Sequence, residues 1–316
     1  MTRDQKIKIA MIICATVLAC AVIITATGMF SGGISGLFGY SNAEKYTAGG
    51  AAVKETVKNL EIHWTSGKVT VAYHPENTVI LEETASRSLS EDEQLHWWLD
   101  GDTLRVQLCK AGARISLPSK QLKLTLPEGM RPEKASFSLT SGDLEIPEIR
   151  TEKLEIHTTS GNLNVKAETP NLKAETTSGS AVLVLTGENR IAECSCTSGG
   201  IRLTAGKTDR VKMSSTSGSL EFDGEESKSL EMGSTSGSVL LKVRKFENVA
   251  VGCTSGDVTA RLPENPGFRA EISTTSGKVS TGLALKQEGK TYTCGDESGK
   301  LDIHTTSGDV RLEKAD

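Results

Sequence analysis

Aromatic residues are scarce in this chain: six Phe, four Tyr and three Trp amount to 4% of 316 residues. So few large rings are not typical of an α/β enzyme with one deep core. Proline is also rare, at 8 residues, and although glycine reaches 31, the composition excludes a collagen-like or Pro-rich linker protein. The net charge of −4 supplies no basic field that could hold nucleic acid. Abundant glycine with few aromatics favours a fold of thin, repeated layers.

Motifs of the common enzyme classes are also missing. We find no Gly-rich phosphate loop, no G-x-S-x-G elbow, no H-E-x-x-H pair and no glycine-aspartate calcium repeat. The sequence therefore predicts a protein that is not an enzyme and that carries no cofactor and no metal.

One long uncharged run lies near the N-terminus. Residues 9–30 contain no charged side chain, and a helix of that length would span about 33 Å, enough to cross a ~30 Å hydrocarbon core. Three basic residues precede the run, so the positive-inside rule places the N-terminus in the cytoplasm. We expect residues 1–30 to form a cytoplasmic stub and a transmembrane helix, with the remainder outside the cell membrane.

Two other interpretations of this run are possible. A cleaved signal peptide has a shorter apolar region and an A-x-A-like site, which this run lacks. A lipoprotein anchor at Cys20 is disfavoured because apolar residues continue for ten positions beyond it. We therefore favour an uncleaved single-pass anchor, followed by a Gly- and Ser-rich flexible linker at residues 31–52.

The glycines mark an internal repeat. Thr-Ser-Gly recurs at intervals close to 19 residues across more than a hundred residues, which is the signature of a repeat architecture. Glycine there can adopt a positive φ without steric cost, so each Ser-Gly pair is predicted to form a corner. The predicted corners are Ser141 and Gly142, Ser160 and Gly161, Ser178 and Gly179, Ser198 and Gly199, Ser217 and Gly218, Ser236 and Gly237, Ser255 and Gly256, Ser276 and Gly277, and Ser307 and Gly308.

Apolar residues recur four and six positions before each corner serine, and three and five positions after it. This period of two predicts two short strands per repeat. Since one repeat cannot bury its own apolar face, we expect an all-β, single-stacked β-solenoid of ~19-residue two-strand coils over residues 133–316. A pair of antiparallel sheets joined by hairpins is the alternative. The final step of nine residues predicts a shortened terminal coil, whose exposed edge is capped by residues 313–316.

Residues 53–132 interrupt the period and are predicted to form an atypical β cap and the first strands. Trp97 and Trp98 belong to the only aromatic cluster of the chain. We expect this pair to form the core of the cap rather than a platform for a ligand.

The segments LKLTLPEG at 122–129 and LTSGDLEI at 139–146, followed by iterated T-S-G-x-[VL] units, resemble the bacterial putative-adhesin family of unknown function. The resemblance implies a membrane-anchored β-solenoid ectodomain, and some members are encoded beside cell-envelope stress regulators. It carries over no catalytic residues. The leading hypothesis is an adhesin or cell-envelope binding module without catalysis. The alternatives are a scaffold or regulatory partner of an envelope-stress membrane system and, less favoured, a glycan-acting β-helix enzyme.

A ladder of threonines precedes the corner serines and is the candidate binding surface. Its regular spacing would suit a polymer such as cell-wall glycan, but hydrogen bonding between neighbouring turns is the explanation that we favour from the sequence. Another envelope membrane protein is the other candidate partner. The ladder comprises Thr177, Thr197, Thr216, Thr235 and Thr254.

Other reactive side chains are expected to be structural. Cys196 and Cys253 would lie three coils apart, too far for a disulfide, so we expect buried free thiols. Three histidines (His63, His157 and His304) share an outward column but not adjacent coils, which argues against a metal site. The column that follows the corner glycine contains no two acidic residues from consecutive repeats, which argues against a paired-carboxylate glycosidase.

Overall fold

The structure, a computed structural model, describes residues 42–110 and 118–315. The predicted membrane helix at residues 9–30 and the alternative anchor at Cys20 lie outside these ranges. Within them, no helix is long and apolar enough to span a membrane. The described residues are almost entirely β, with two short 3-10 turns, Ala43–Lys45 and Glu91–Glu93. They divide into two compact units, residues 42–180 and 181–315.

The described part of the N-terminal unit, residues 42–110 and 118–180, contains eleven strands. They are β1 (Thr47–Ala48), β2 (Ala51–Val53), β3 (Asn59–His74), β4 (Val79–Ala85), β5 (His96–Asp100), β6 (Thr103–Gln107), β7 (Lys120–Pro127), β8 (Lys134–Arg150), β9 (Lys153–Ser160), β10 (Leu163–Glu168) and β11 (Asn171–Ser178). Their side chains alternate between buried and exposed, as the period of two predicts.

Parallel pairing in register joins the repeats of this unit. Strand β3 pairs with β8 so that Ser66 lies opposite Ser141, and β8 pairs with β9 so that Ser141 lies opposite Ser160. Strand β9 pairs in parallel with β11, and β10 pairs in parallel with β8. Matching columns therefore stack, which confirms the all-β, solenoid-like repeat fold.

The irregular segment supplies an outer coil and its cover. Strands β6 and β7 pair in parallel with the two ends of β3, on the side opposite β8. Antiparallel strands then cover this coil, β5 on β6 and β4 on β7. Strands β1 and β2 extend the two covers, so part of the predicted flexible linker at 31–52 is in fact β-strand. Backbone hydrogen bonds to β5 and β4 order these residues despite their small side chains.

A fully buried lysine holds the cap together. The Lys120 ammonium is 0% exposed, lies 2.7 Å from a carboxylate oxygen of Glu83, and donates to the carbonyl oxygens of Glu93 and Leu108. It also lies 5.5 Å from the centre of the Trp64 ring. One side chain therefore links β4, the Glu91–Glu93 turn, the end of β6 and β7.

We expect Lys120→Met to destabilise the protein by about 3–5 kcal/mol, because the Glu83 carboxylate would remain buried without its counter-charge. Lys123→Met is the control, since Lys123 pairs with Glu82 at an exposed position and should cost at most about 1 kcal/mol. Urea unfolding midpoints measure both. Equal effects would contradict the assigned role of Lys120.

The C-terminal unit also contains eleven strands. They are β12 (Ala181–Ser198), β13 (Ile201–Ser215), β14 (Leu220–Ser234), β15 (Val239–Cys253), β16 (Val258–Leu262), β17 (Phe268–Thr274), β18 (Val279–Thr281), β19 (Lys286–Glu288), β20 (Thr291–Cys294), β21 (Gly299–Thr305) and β22 (Val310–Lys314).

Strands β12 to β16 stack in parallel. From β13 to β16, each residue pairs with the residue 19 positions later in the next strand. Ile201 pairs with Leu220, Leu220 with Val239, and Val239 with Val258. The predicted apolar columns of these coils are buried, including Leu203, Phe222 and Leu241 at 0% exposure. Burial between coils is what a single 19-residue repeat could not achieve alone.

The last coil lies inside the stack rather than at its edge. Strand β21 pairs with β15 on one side and β17 on the other, and β22 likewise lies between β16 and β18. The predicted edge cap at residues 313–316 is therefore wrong for its described part. The outer side of β17 is covered by the antiparallel strand β20, which pairs with β19. The hairpin occupies the outer side and leaves β21 and β22 the inner position.

Glycine is required at the corners mainly because neighbouring coils stack closely there, and less because the backbone is left-handed. Gly161, Gly179 and Gly199 have positive φ (139°, 135° and 122°), but most predicted corner glycines do not, so that expectation is only partly correct. A Cβ at Gly218 would instead lie 1.4 Å from the carbonyl oxygen of Gly199, and one at Gly237 would lie 1.9 Å from that of Gly218. Any side chain at these positions would separate neighbouring coils.

We expect Gly237→Ala to destabilise the protein by roughly 1–3 kcal/mol, because the added methyl group must push the backbone of the adjacent corner away. Gly252→Ala is the matched control, since a Cβ there meets no atom within 4 Å. Its effect should stay within about 0.5 kcal/mol. Thermal unfolding of the two variants tests the difference, and similar melting temperatures would refute it.

Candidate functional site

The candidate binding surface is formed by half-buried threonines and exposed serines on four consecutive corners of the C-terminal unit. We call it the Thr-Ser ridge. It comprises Thr197 and Ser198, Thr216 and Ser217, Thr235 and Ser236, and Thr254 and Ser255. The fifth predicted ladder residue, Thr177, is half-buried in the N-terminal unit.

Backbone hydrogen bonds align the corners of the ridge. The N–H of Ser217 donates to the carbonyl oxygen of Thr197 at 2.8 Å, and that of Ser236 to Thr216 at 2.9 Å. The N–H of Ser255 donates to Thr235 at 2.9 Å in the same way. The stacking thus has a backbone basis, and it repeats the side chains at the spacing of one coil, about 4.8 Å.

A second column, two positions before each corner serine, supports the turn from inside. The buried hydroxyl oxygen of Ser215 accepts a hydrogen bond from the N–H of Gly218 at 2.6 Å, and that of Ser234 accepts from Gly237 at 2.8 Å. Thr274 and Thr305 play the same role for Gly277 and Gly308. Sequence reasoning missed this column, although the recurrence of small polar residues at one offset is a visible signal.

Ser234→Ala is expected to cost about 1–3 kcal/mol, because it leaves the buried N–H of Gly237 without an acceptor. Ser234→Thr should be tolerated, since Thr274 and Thr305 make the same hydrogen bond at the equivalent position. The exposed Ser236→Ala serves as the surface control, with a change within about 0.5 kcal/mol. Chemical unfolding of the three variants provides the comparison. A fully stable Ser234→Ala protein would rule out the supporting role.

Cysteines occupy this same supporting column at two coils. The Cys196 thiol donates to the Ser215 hydroxyl, 3.2 Å away, and Cys253 donates to the carbonyl oxygen of Gly237. Both are free, as are the other three described cysteines. Burial raises the pKa of the Cys194 thiol to about 12, which makes it a poor nucleophile. Cys294 lies in β20 on the covering hairpin.

Two carboxylates do meet on the column that follows the glycine. Insertion of the last coil places Asp309 beside Asp257, and the N–H of Asp309 donates to a carboxylate oxygen of Asp257 at 2.9 Å. The expectation that this column holds no adjacent acidic pair is therefore wrong. The Asp309 carboxylate accepts from the N–H of Lys278, and Arg311 lies 3.4 Å and 3.7 Å from the two side chains. Both carboxylates therefore accept a backbone N–H and lie near Arg311. These contacts connect neighbouring coils, so we assign Asp257 and Asp309 a structural role.

The predicted histidine column does not converge. His63 and His157 lie opposite Ser138 from either side, which leaves one coil between them. His157 contacts Glu175 at 2.8 Å, and this contact together with Lys173 holds the pKa of the Glu175 carboxyl down, at about 2. His304 contacts the Ser273 hydroxyl at 2.9 Å. Across residues 42–110 and 118–315, no three metal-binding side chains gather.

The tryptophan pair is not the core of the cap. Trp97 and Trp98 are half-buried, whereas the fully buried cap residues include aliphatic side chains of β3, β6 and β7 together with Trp64 and Lys120. Successive strand residues point to opposite faces, so both rings cannot enter one core. Trp98 packs edge-on against Tyr46 at 5.7 Å, with the Lys45 ammonium 4.8 Å from its ring centre. The ring therefore attaches the start of the described chain to the cap.

A half-open groove of roughly 410 Å³ lies beside the cap of the N-terminal unit. Val53, Val79 and Met130 supply apolar walls, and Glu76 and Glu128 lie among the polar residues at the groove. Its volume is within the range of small-molecule sites.

Comparison with known proteins identifies the family. The Toastrack DUF4097 family matches residues 53–204 and again 189–313, so the chain belongs to this family. The name denotes a domain of unknown function. No curated protein matches the sequence.

Solved structures share the fold at low sequence identity. A putative adhesin from Parabacteroides distasonis is 12% identical, with a TM-score of 0.54 over 85% of this chain and 97% of that one. A putative adhesin from Parabacteroides merdae is 14% identical, with a TM-score of 0.53 over 86% and 97%. At such identities the similarity establishes the fold alone.

Proposed function

We propose that this protein is an adhesin-like, non-catalytic binding module that is anchored at the cell membrane and exposes its repeat units outside it. The uncharged run at residues 9–30 would provide the anchor. The proposed ligand is an extended, hydroxyl-rich polymer such as cell-wall glycan, and the proposed contact surface is the Thr-Ser ridge.

The single observation behind this proposal is the uncharged, regularly repeated surface of the ridge. Its side chains are hydroxyl groups on four coils in succession. The position after the corner glycine adds exposed hydroxyls at Ser219 and Ser238, and it is the carboxylate Asp257 on the fourth coil. Other charged side chains lie elsewhere on the coils, for example Arg202 and Glu221, which form an ion pair at 2.7 Å. A surface that repeats in identical steps suits a ligand that also repeats, because each added unit makes the same contacts.

Charge substitution on the ridge tests the proposal. We expect full-length protein in detergent to bind purified cell-wall glycan in a co-sedimentation assay. Ser217→Arg combined with Ser236→Arg should weaken binding at least tenfold, because two bulky charges interrupt the hydroxyl surface. Thr204→Arg combined with Thr259→Arg adds the same charge to outward positions of β13 and β16, and it should bind like the unmodified protein.

Two results would refute this function. One is that no wall glycan binds the unmodified protein. The other is that the two double variants lose binding equally, since the ridge would then have no special role.

A scaffold or regulatory partner of an envelope-stress membrane system is the second candidate. The groove beside the cap favours it, because this unit follows directly from the segment proposed as the anchor. Crosslinking in intact cells separates the two functions. A scaffold should yield one defined membrane protein, and that partner should persist when the ridge variant is used.

A further inference from the structure

The coil formed by residues 299–315, here called the inserted coil, fills a slot between two others. On one side the N–H of Ser307 donates to the carbonyl oxygen of Thr254 at 2.9 Å, and the N–H of Val258 donates to Asp309 at 2.9 Å. On the other side the N–H of Val310 donates to the carbonyl oxygen of Lys278 at 2.8 Å. The slot is thus an interface that recognises one coil from both sides.

The inserted coil contacts the slot through its own apolar and charged side chains. Ile303, Val310 and Leu312 are 0% exposed there. At the far end, Arg261 pairs with Glu313 at 3.1 Å, and Lys314 pairs with Glu264 at 2.6 Å. An identical coil from a second copy of the chain would make every one of these contacts.

The coil beside the slot has the same pattern as the inserted coil. Ala270 and Leu301 occupy equivalent positions, as do Ile272 and Ile303, and both coils contain Thr-Thr-Ser-Gly. If the inserted coil leaves, strands β17 and β18 can approach β15 and β16 with the same columns in register. Release of the inserted coil therefore need not leave two bare apolar surfaces, which lowers its cost.

The connection to the inserted coil is short and contains unfavourable backbone. Residues 295–298 cross from β20, on the outer side of β17, to β21 on its inner side. Glu297 has a φ of 57° and is one of two described residues other than glycine with positive φ. Opening the loop would relieve this strain. Fully extended, four residues reach about 14 Å, enough to direct the coil into an adjacent molecule.

From these observations we propose that the inserted coil is exchanged between two copies of this chain, which yields a coil-swapped dimer. Each copy would place residues 299–315 in the slot of the other, and the buried contacts of the monomer would be conserved. The two slots would face each other across a two-fold axis, with residues 295–298 as the hinges. This inference does not depend on the ligand of the ridge.

An engineered disulfide reports the exchange directly. Asn248 on β15 lies opposite Lys300 on β21, and both side chains are exposed. Neighbouring strands at about 4.8 Å are within the Cα separation that a disulfide allows. Asn248→Cys with Lys300→Cys should give a disulfide within one chain in the monomer and between two chains in the swapped dimer. Arg202→Cys with Glu221→Cys, on β13 and β14, is the control, because neither strand is exchanged.

The experiment uses full-length protein that is refolded in detergent at increasing concentration, oxidised and separated on non-reducing gels. We expect a crosslinked dimer from the first pair whose fraction rises with protein concentration, and monomer alone from the control pair. Crosslinked monomer alone from the first pair at every concentration would overturn the proposal. A dimer of equal abundance from the control pair would also overturn it, since the crosslink would then not report the slot.

Discussion

The close approach of backbone at the Thr-Ser-Gly corner is the constraint on which the rest of the structure depends. At Gly218 and Gly237 there is no room for a Cβ, because the carbonyl of the preceding corner occupies its place. This contact brings adjacent coils near enough for their strands to pair in register. The apolar columns are buried only because that pairing holds, so a steric requirement at one corner supports the core of the whole coil.

The corner is also a small hydrogen-bonding unit. Backbone groups link each turn to the next, and an inward hydroxyl such as Ser215 or Ser234 satisfies the N–H of the corner glycine. Cysteine takes this position at Cys196 and Cys253, where a buried thiol fills the space of a hydroxyl. The interior therefore accounts for Cys196 and Cys253 without disulfide or metal chemistry.

Surface chemistry differs between the corner and the broad faces of the C-terminal unit. Ion pairs lie away from the Thr-Ser ridge. Examples are Lys228 with Asp209 and Lys245 with Glu226. The ridge carries hydroxyl groups without a charge. That division of polar surface is what supports the binding role proposed above.

Periodicity alone determined the repeat, the location of its corners and the columns that face inward, because these follow from local alternation and from the spacing of Thr-Ser-Gly. It could not determine the order of the coils. Leu301 and Ala270 satisfy the same column equally well, so sequence pattern cannot say which of their coils lies on β15. The tertiary structure decided this through the long connections: the hairpin of β19 and β20 covers the outer side of β17, which leaves β21 and β22 the inner position. That placement brought Asp257 and Asp309 together, a contact between residues 52 positions apart that no local pattern contains.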